Sequence, residues 1–368
     1  SSSAGGASQG LGPSPGVMAS LWVDKYRPAT LSRCDHHPEV QAQLQSLASR
    51  GDAPHLLFYG PAGAGKKTRV MAYLRALFGP GVERVKLEHR SLKATTSKTV
   101  EITTVASNYH IECNPADAGT YDRVVVQELI KEIASSNPLV TADGGISAPG
   151  GRDGAAGKPA YKVVILTEVD RLTLQAQAGL RRTMEKYSQS CRLILCCTSP
   201  SRIIEPLRSR CLGMRVAAPS LQEVSAVLNN VLRKEGLTAP QELVDRVAST
   251  SKRNLRRALL MLEACKAQQY PFTADQVVQA PDWEVYVTQL AKLLVNKQSP
   301  QALLQAREML YELLVNCVPP EVIMRCLVTE LLRFSDDEMK HEVVHWAAFY
   351  EHRLHRGQKA IFHLEAFV

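Results

Sequence analysis

Long apolar runs are missing from this chain of 368 residues. No stretch reaches the roughly eighteen consecutive apolar residues that a membrane-spanning helix needs. The opening segment also lacks the basic start and apolar middle of a secretory signal peptide. We therefore expect a chain that is neither secreted nor embedded in a membrane, and that has no membrane partner.

Paired cysteines are missing as well. The nine cysteines are an odd number, and none of them has the C-x-x-C spacing typical of a zinc site. They are expected to be reduced, mostly buried thiols in the cytosol or nucleus. The sequence thus predicts no metal site built from cysteine.

The chain has no excess of acidic residues. Lys and Arg number 44 against 36 Asp and Glu, which gives a formal net charge of +8. Clustered basic residues release counterions from a phosphate backbone, so this surplus is compatible with a nucleic-acid partner. An ordinary solvated surface explains it equally well.

Composition divides the chain into segments. Residues 1–19 are mostly Gly, Ser, Ala and Pro and predict a disordered extension, with Met18 as a candidate start. Residues 141–160 hold six Gly and predict a flexible insertion. Alternating strand and helix patterns over 20–217 predict an α/β core with a parallel sheet. The strands are expected at 55–59, 161–166 and 191–197, and the helices at 68–78, 124–133 and 174–187.

The second half of the chain has only helical patterns. Three short ones, at 221–232, 242–248 and 254–267, predict a helical lid over 218–280. Residues 281–368 predict an all-α domain, in which Leu303, Leu310, Leu314 and Cys317 would share a buried helical face. The pattern reaches Val368 without a capping residue, which leaves open whether a further helix follows.

A glycine-rich loop carries the strongest functional motif. Gly60-Pro-Ala-Gly-Ala-Gly65-Lys66 fits G-x-x-x-x-G-K and stands between a predicted strand and a predicted helix, as the motif requires. Backbone N–H groups of such a loop surround phosphates, and the lysine neutralises them. A chance glycine-rich turn is the disfavoured alternative. The predicted nucleotide-binding residues of this segment are Gly60, Pro61, Gly63, Gly65, Lys66, Lys67 and Thr68.

Two positions depart from a working phosphate loop. The residue after Lys66 should be Ser or Thr, whose hydroxyl binds Mg²⁺, but it is Lys67, and Thr68 comes one place late. The apolar strand at 163–166 should end in Asp-Glu, but Thr167 replaces the Asp and only Glu168 remains. We therefore expect ATP or ADP to bind, Mg²⁺ to bind weakly or not at all, and hydrolysis to be poor.

Several segments together resemble one protein family. The segments at 21–28, 60–68, 180–185 and 206–211 resemble the boxes of replication factor C subunits, which are AAA+ proteins. The resemblance runs from about residue 20 to the end, and the variants at 65–68 and 167–170 narrow it to one of the small subunits. It implies an AAA+ core with a three-helix lid, followed by a collar domain over 281–368.

The same resemblance implies a function. Replication factor C is a ring of one large and four small subunits that loads the PCNA sliding clamp onto primer-template DNA in the nucleus, for replication and repair. This chain would be one of the small subunits and would assemble with the four others. Whether alternative large subunits also bind it stays open.

The family pattern also assigns roles to single residues. Arg210 would be an arginine finger that acts on a neighbour's nucleotide, unless it merely pairs with a carboxylate. Glu168 would be a residual catalytic glutamate, and Thr198 departs from the amide expected at the first sensor. Further nucleotide-binding residues would be Tyr26, Arg27, Pro28 and Arg256. DNA backbone contacts would come first from Arg202 and then from Lys162, Arg181 and Arg182.

Other functions were weighed against this one. His341-Glu-Val-Val-His345 fits the zinc motif H-E-x-x-H, but the apolar residues 343, 344, 346 and 347 predict an ordinary packed helix instead. A stand-alone AAA+ NTPase or remodeller is the main alternative, disfavoured by Lys67, Thr167 and Thr198. A purely structural module with an empty phosphate loop is the third.

Overall fold

The computed structural model describes residues 20–51, 53–95, 98–135, 161–357 and 359–368. The predicted extension at 1–19 and the predicted insertion at 141–160 lie outside these residues. Contacts divide the chain into two units, the first ending at Val278 and the second spanning Gln279–Val368.

The first unit begins with alternating helices and strands. Their bounds are α1 (Trp22–Lys25), α2 (Pro38–Arg50), β1 (Leu56–Tyr59), α3 (Lys66–Phe78), β2 (Lys86–Thr95), β3 (Lys98–Ala106), β4 (His110–Cys113), α4 (Asp122–Ser135), β5 (Lys162–Leu166), α5 (Leu174–Lys186), β6 (Cys191–Cys197), α6 (Glu205–Arg208) and β7 (Leu212–Arg215).

A seven-stranded sheet organises this part, in the order β2-β3-β4-β5-β6-β1-β7. Along the sheet, each neighbouring pair from β4 through β5, β6 and β1 to β7 is parallel. The pairs β2–β3 and β3–β4 are antiparallel. The central strands are apolar and buried because one apolar cluster covers each face of the sheet, one with α3 and the other with α4 and α5. The predicted α/β core with its parallel strands is confirmed.

The antiparallel edge was not predicted. Strand β2 has few apolar residues, and one of them, Leu87, is exposed, so neither an apolar run nor alternation marks it. Its order comes from the hydrogen-bonded ladder with β3. Strands β4 (HIEC) and β7 (LGMR) were missed because they are short and, unlike the equally short β1 (LLFY), contain no apolar run.

Three helices complete the first unit: α7 (Leu221–Glu235), α8 (Gln241–Thr250) and α9 (Leu255–Gln268). They pack around a shared apolar cluster that also buries Trp22 of α1. Ser220 and Glu223 form a capping box at the start of α7, and the Asn254 side chain accepts a hydrogen bond from the Arg257 N–H at the start of α9. The predicted three-helix lid is therefore present.

The second unit is helical throughout: α10 (Asp282–Asn296), α11 (Pro300–Val315), α12 (Pro320–Phe334), α13 (Asp337–Arg356) and α14 (Ala360–Phe367). The three leucines predicted to share one face of α11 do lie on one side of the helix, but that face is only partly buried. Of its members only Leu310 is buried; Leu303 is exposed, and Cys317 lies beyond the helix. The buried face uses Ala302 and Ala306 instead, because small side chains let helices approach closely.

The H-E-x-x-H segment lies on α13 with both histidines exposed. No group of three possible metal ligands occurs in the described residues, so the zinc motif finds no support. The predicted packing of this segment is only partly right, since Ala347 is buried but Val344 and Trp346 are exposed. Within the same described ranges, no helix is long and apolar enough to cross a membrane.

Candidate nucleotide-binding site

The glycine-rich loop joins the end of β1 to the start of α3. Gly60 has φ 147°, and a Cβ there would lie 1.9 Å from the Val216 carbonyl oxygen. Gly63 has φ 74°, and a Cβ there would lie 1.8 Å from Asn254 Oδ1 of the lid. Both positions therefore require glycine: a side chain at Gly60 would collide with the backbone just after β7, and one at Gly63 would collide with the lid.

Lys66 lies inside the curve of this loop. Its Nζ donates to the carbonyl oxygens of Gly60 at 2.6 Å and Pro61 at 3.0 Å. Burial lowers the pKa of the Lys66 ammonium below its usual value. A bound phosphate would offset this desolvation, and the N-terminus of α3 adds positive potential at the same place. The arrangement suits an anion.

A cavity of about 350 Å³ lies between the core and the lid. It brings together most of the predicted nucleotide-binding residues, which come from the segment after α1, the loop and the lid: Tyr26, Arg27, Pro28, Gly63, Gly65, Thr68 and Arg256. Gly60, Pro61, Lys66 and Lys67 are not in its lining, although they belong to the same loop or to the start of α3.

Arg69 and His36 are among the residues of this cavity that sequence reasoning missed. Arg69 is buried, and its guanidinium donates to the backbone carbonyls of His36 at 2.7 Å and Ala64 at 3.2 Å. It thereby ties the segment before α2 to the glycine-rich loop. Burial, helped by the positive charge of Arg69, lowers the pKa of His36 to about 4. Arginine next to a helix start usually faces solvent, so no sequence pattern marks this role.

The segment at 21–28, here called the N-terminal box, also contacts the lid helices. Tyr26 donates a hydrogen bond to Glu235 at the end of α7, and Lys25 Nζ lies 2.6 Å from the same carboxylate. The Trp22 backbone N–H donates to Glu263 of α9 at 3.1 Å. The box therefore contributes to the cavity and holds the lid helices beside it.

Three carboxylates near the loop have partners among the described residues. Glu112 of β4 lies 2.6 Å from Lys67 Nζ, and Glu168, which has φ 53°, pairs with Arg171 at 3.0 Å. Asp170 accepts hydrogen bonds from the backbone N–H groups of residues 198 and 199, at 3.0 and 3.3 Å. The Thr167 hydroxyl donates to the Cys113 carbonyl at 3.3 Å.

These residues do not fit a magnesium ion. Mg²⁺ requires close to six oxygen ligands in near-octahedral geometry. Here Lys67 stands at the sequence position of the hydroxyl residue, a threonine replaces the aspartate, and Glu112 is already paired with the Lys67 ammonium. A second cation beside Lys67 would meet like-charge repulsion.

Arg210 follows α6 and is bonded within its own chain. Its Nη2 lies 2.6 Å from Glu185 Oε1, its Nε donates to the same oxygen at 2.8 Å, and its Nη1 donates to the Pro206 carbonyl at 2.8 Å. Arg181 approaches the same carboxylate at 3.5 Å. In the single chain Arg210 thus pairs with a carboxylate, which is the alternative to a finger role. To act as a finger, Arg210 would have to break its contact with Glu185 or keep it while also contacting the neighbour's nucleotide.

The predicted DNA-binding residues lie in different places. The Arg202 side chain is exposed, in a turn after the carboxyl end of β6. The Arg202 backbone carbonyl accepts a hydrogen bond from the buried Gln177 side chain at 3.2 Å. Arg181 and Arg182 are exposed on α5. Lys162 is half-buried and begins β5, so it lies at the amino end of the parallel strands, opposite to the end at which Arg202 lies. The structure does not bring Lys162 together with Arg202.

Comparisons with known proteins agree with this architecture. Residues 283–368 match a family model described as the C-terminal domain of replication factor C subunit 3. Residues 226–267 match a model of the RCF1/5-like AAA+ ATPase lid domain, which confirms the predicted AAA+ class.

Full-length relatives extend the match. Replication factor C subunit 3 of Mus musculus is 56% identical over 349 residues, which cover 95% of this chain and 94% of the mouse protein. The Arabidopsis thaliana subunit 3 is 51% identical over 351 residues, covering 95% of each chain. The Thermotoga maritima RuvB Holliday junction branch migration motor aligns with 73% of this chain and 79% of its own at 14% identity and a TM-score of 0.49, so the assignment is left to the sequence relatives. The predicted resemblance to replication factor C is confirmed, and the chain belongs to the replication factor C subunit 3 family.

Proposed function

We propose that this chain is a nucleotide-binding small subunit of the clamp loader that places the PCNA sliding clamp on primer-template DNA in the nucleus. Its partners would be one large and three other small replication factor C subunits, the clamp, and the DNA backbone. The match to subunit 3 relatives along 95% of the chain supports this assignment.

We infer that the pocket binds ATP or ADP but scarcely hydrolyses it. The observation that carries this inference is the Lys67–Glu112 ion pair at 2.6 Å, because Lys67 stands at the sequence position where the motif normally has a metal-binding hydroxyl. Lys66 and the loop retain what is needed to hold phosphates. Phosphoryl transfer depends on compensating charge at the transferred group, and this site lacks the oxygens to position a metal there.

The chain would act on the neighbouring site instead. Arg210, released from or shared with Glu185, would supply a planar positive charge to the phosphates bound by the adjacent subunit. Its own lid and pocket would then serve to hold nucleotide and keep the shape of the subunit. Glu168 contributes little under this proposal, because it pairs with Arg171.

The test uses the purified full chain. Denaturation should release ATP or ADP, and turnover of added ATP should stay below about 0.1 per second, a slow rate for an enzyme. Absence of any bound or bindable nucleotide would favour a structural module. Turnover above that rate by the lone chain would favour a stand-alone NTPase and contradict the proposal.

Arg202 gives a separate prediction for DNA binding. The affinity of the assembled complex for DNA should fall steeply with salt and be indifferent to sequence, because phosphates dominate such contacts. Arg202→Ala should reduce the slope of log affinity against log salt by about one unit. Arg84→Ala, an exposed arginine beyond the far end of α3, is the matched control and should leave the slope unchanged. Equal slopes for all three complexes would show that Arg202 does not contact DNA.

A further inference from the structure

The Lys67–Glu112 pair is more sheltered than an ordinary surface ion pair. The Glu112 side chain is 13% exposed, and the Lys67 side chain is 45% exposed. Glu112 lies between two buried residues, Ile111 and Cys113, on β4. Charges at such a site are screened less than charges in open water, so the pair constrains both groups.

The pair lies beside the position of the missing aspartate. Glu112 is in register with Ile165, and the backbone N–H of Thr167 donates to the Cys113 carbonyl at 3.1 Å. Ile165 packs into the cluster that α3 covers, and Lys67 reaches Glu112 from the first turn of α3. The ammonium and the carboxylate therefore lie where α3 meets the ends of β4 and β5, next to the glycine-rich loop.

We propose that the Lys67–Glu112 pair replaces the divalent cation, so that this pocket binds nucleoside di- and triphosphates without metal. Lys67 supplies the second positive charge beside Lys66, and Glu112 is a positioning residue that holds the ammonium near the loop. The inference rests on the proposed nucleotide binding and deepens it. Two further carboxylates near the loop, Glu168 and Asp170, likewise have partners inside the chain.

Metal dependence of binding is the first test. The affinity of the full chain for ADP and for ATP is measured by titration calorimetry, with excess Mg²⁺ or with EDTA. The two conditions should give dissociation constants within about twofold of each other, because no charged contact is lost on removing the metal. Binding that weakens about tenfold or more in EDTA overturns the inference but leaves the proposed function intact. Binding in neither condition overturns both.

A restored metal site is the positive control. Lys67→Thr combined with Thr167→Asp returns the two oxygen ligands that the motif normally carries. This double variant should bind ADP about tenfold more tightly with Mg²⁺ than with EDTA, the size of one charged contact. If wild type and double variant respond to Mg²⁺ alike, the ion pair does not replace the metal.

Single variants separate a role toward phosphate from a role in folding. In EDTA, Lys67→Met should weaken ADP binding about tenfold, because Glu112 then faces the phosphates without its partner. Glu112→Gln should not weaken binding, since the amide oxygen of the new side chain can still accept a hydrogen bond from the Lys67 ammonium and hold it near the loop. Lys67→Met with Glu112→Gln should recover part of the loss. Thermal unfolding of each variant checks the fold. Equal weakening by both single changes, with matching losses of stability, would show that the pair is structural only.

Discussion

Replacing Arg210 with alanine should lower ATP hydrolysis at the neighbouring subunit's site by up to about 10³-fold, the low end of the effect of removing an arginine finger. The expected loss is large because a planar guanidinium stabilises charge that develops on the transferred phosphoryl group. In the assembled ring the measured quantity is DNA- and clamp-stimulated ATPase, in which other sites mask part of this loss. Nucleotide binding by the variant chain itself should not change.

Arg208 offers a matched control for this variant. It is exposed, two residues before Arg210, at the end of α6. Arg208→Ala should leave the stimulated ATPase of the ring unchanged. Glu185→Gln removes the carboxylate that now holds Arg210. It therefore tests whether Glu185 restrains the Arg210 side chain or positions it for the neighbouring site. Equal losses from Arg208→Ala and Arg210→Ala would contradict a specific finger role.

The free energy of unfolding should fall by about 4 kcal/mol between pH 7 and pH 5, through two buried histidines. Burial lowers the pKa values of His36 and His110 from 6.5 to about 4. The unfolded chain therefore binds protons that the folded chain does not between pH 6.5 and 4, so stability rises with pH across that window. Each histidine contributes about 2 kcal/mol of this loss at pH 5. His55, also lowered to about 4, is only half-buried and adds less.

Urea unfolding at pH 7, 6 and 5 measures this dependence. His110 has one ring nitrogen bonded to the Ser107 hydroxyl at 2.7 Å and the other without a partner, so His110→Gln keeps one polar contact and removes the titrating group. The variant should lose about 2 kcal/mol less than the wild type between pH 7 and 5. A wild-type free energy that is flat over this range, or a variant with the same pH dependence, would contradict the assignment of His110 as a buried neutral histidine.

Much of the fold follows from local patterns. Two strands are predictable from the apolar runs at 162–166 and 191–197, and the lid helices are predictable from the spacing of their apolar residues. In each case the pattern follows from which side chains are buried. The glycine-rich loop is predictable for a similar reason, since Gly60 and Gly63 adopt backbone angles that other residues avoid.

What could not be predicted depends on partners distant in sequence. Nothing near Lys67 indicates that its ammonium meets Glu112 on another strand, and nothing near Glu168 indicates a left-handed backbone turned toward Arg171. Arg69 is buried only because the carbonyls of His36 and Ala64 lie within its reach. These contacts decide what the site can do, and they exist only after the chain has folded.

The most direct measurement of the central claim compares two rings that are fully assembled and differ in this subunit alone. In one ring the subunit carries Lys66→Ala, which removes the phosphate-binding amine of its own pocket. In the other ring it carries Arg210→Ala. If this pocket holds nucleotide without hydrolysing it, the Lys66→Ala ring should keep its DNA- and clamp-stimulated ATPase while the Arg210→Ala ring loses activity. Equal losses in the two rings would mean that the pocket is catalytic and would contradict the account.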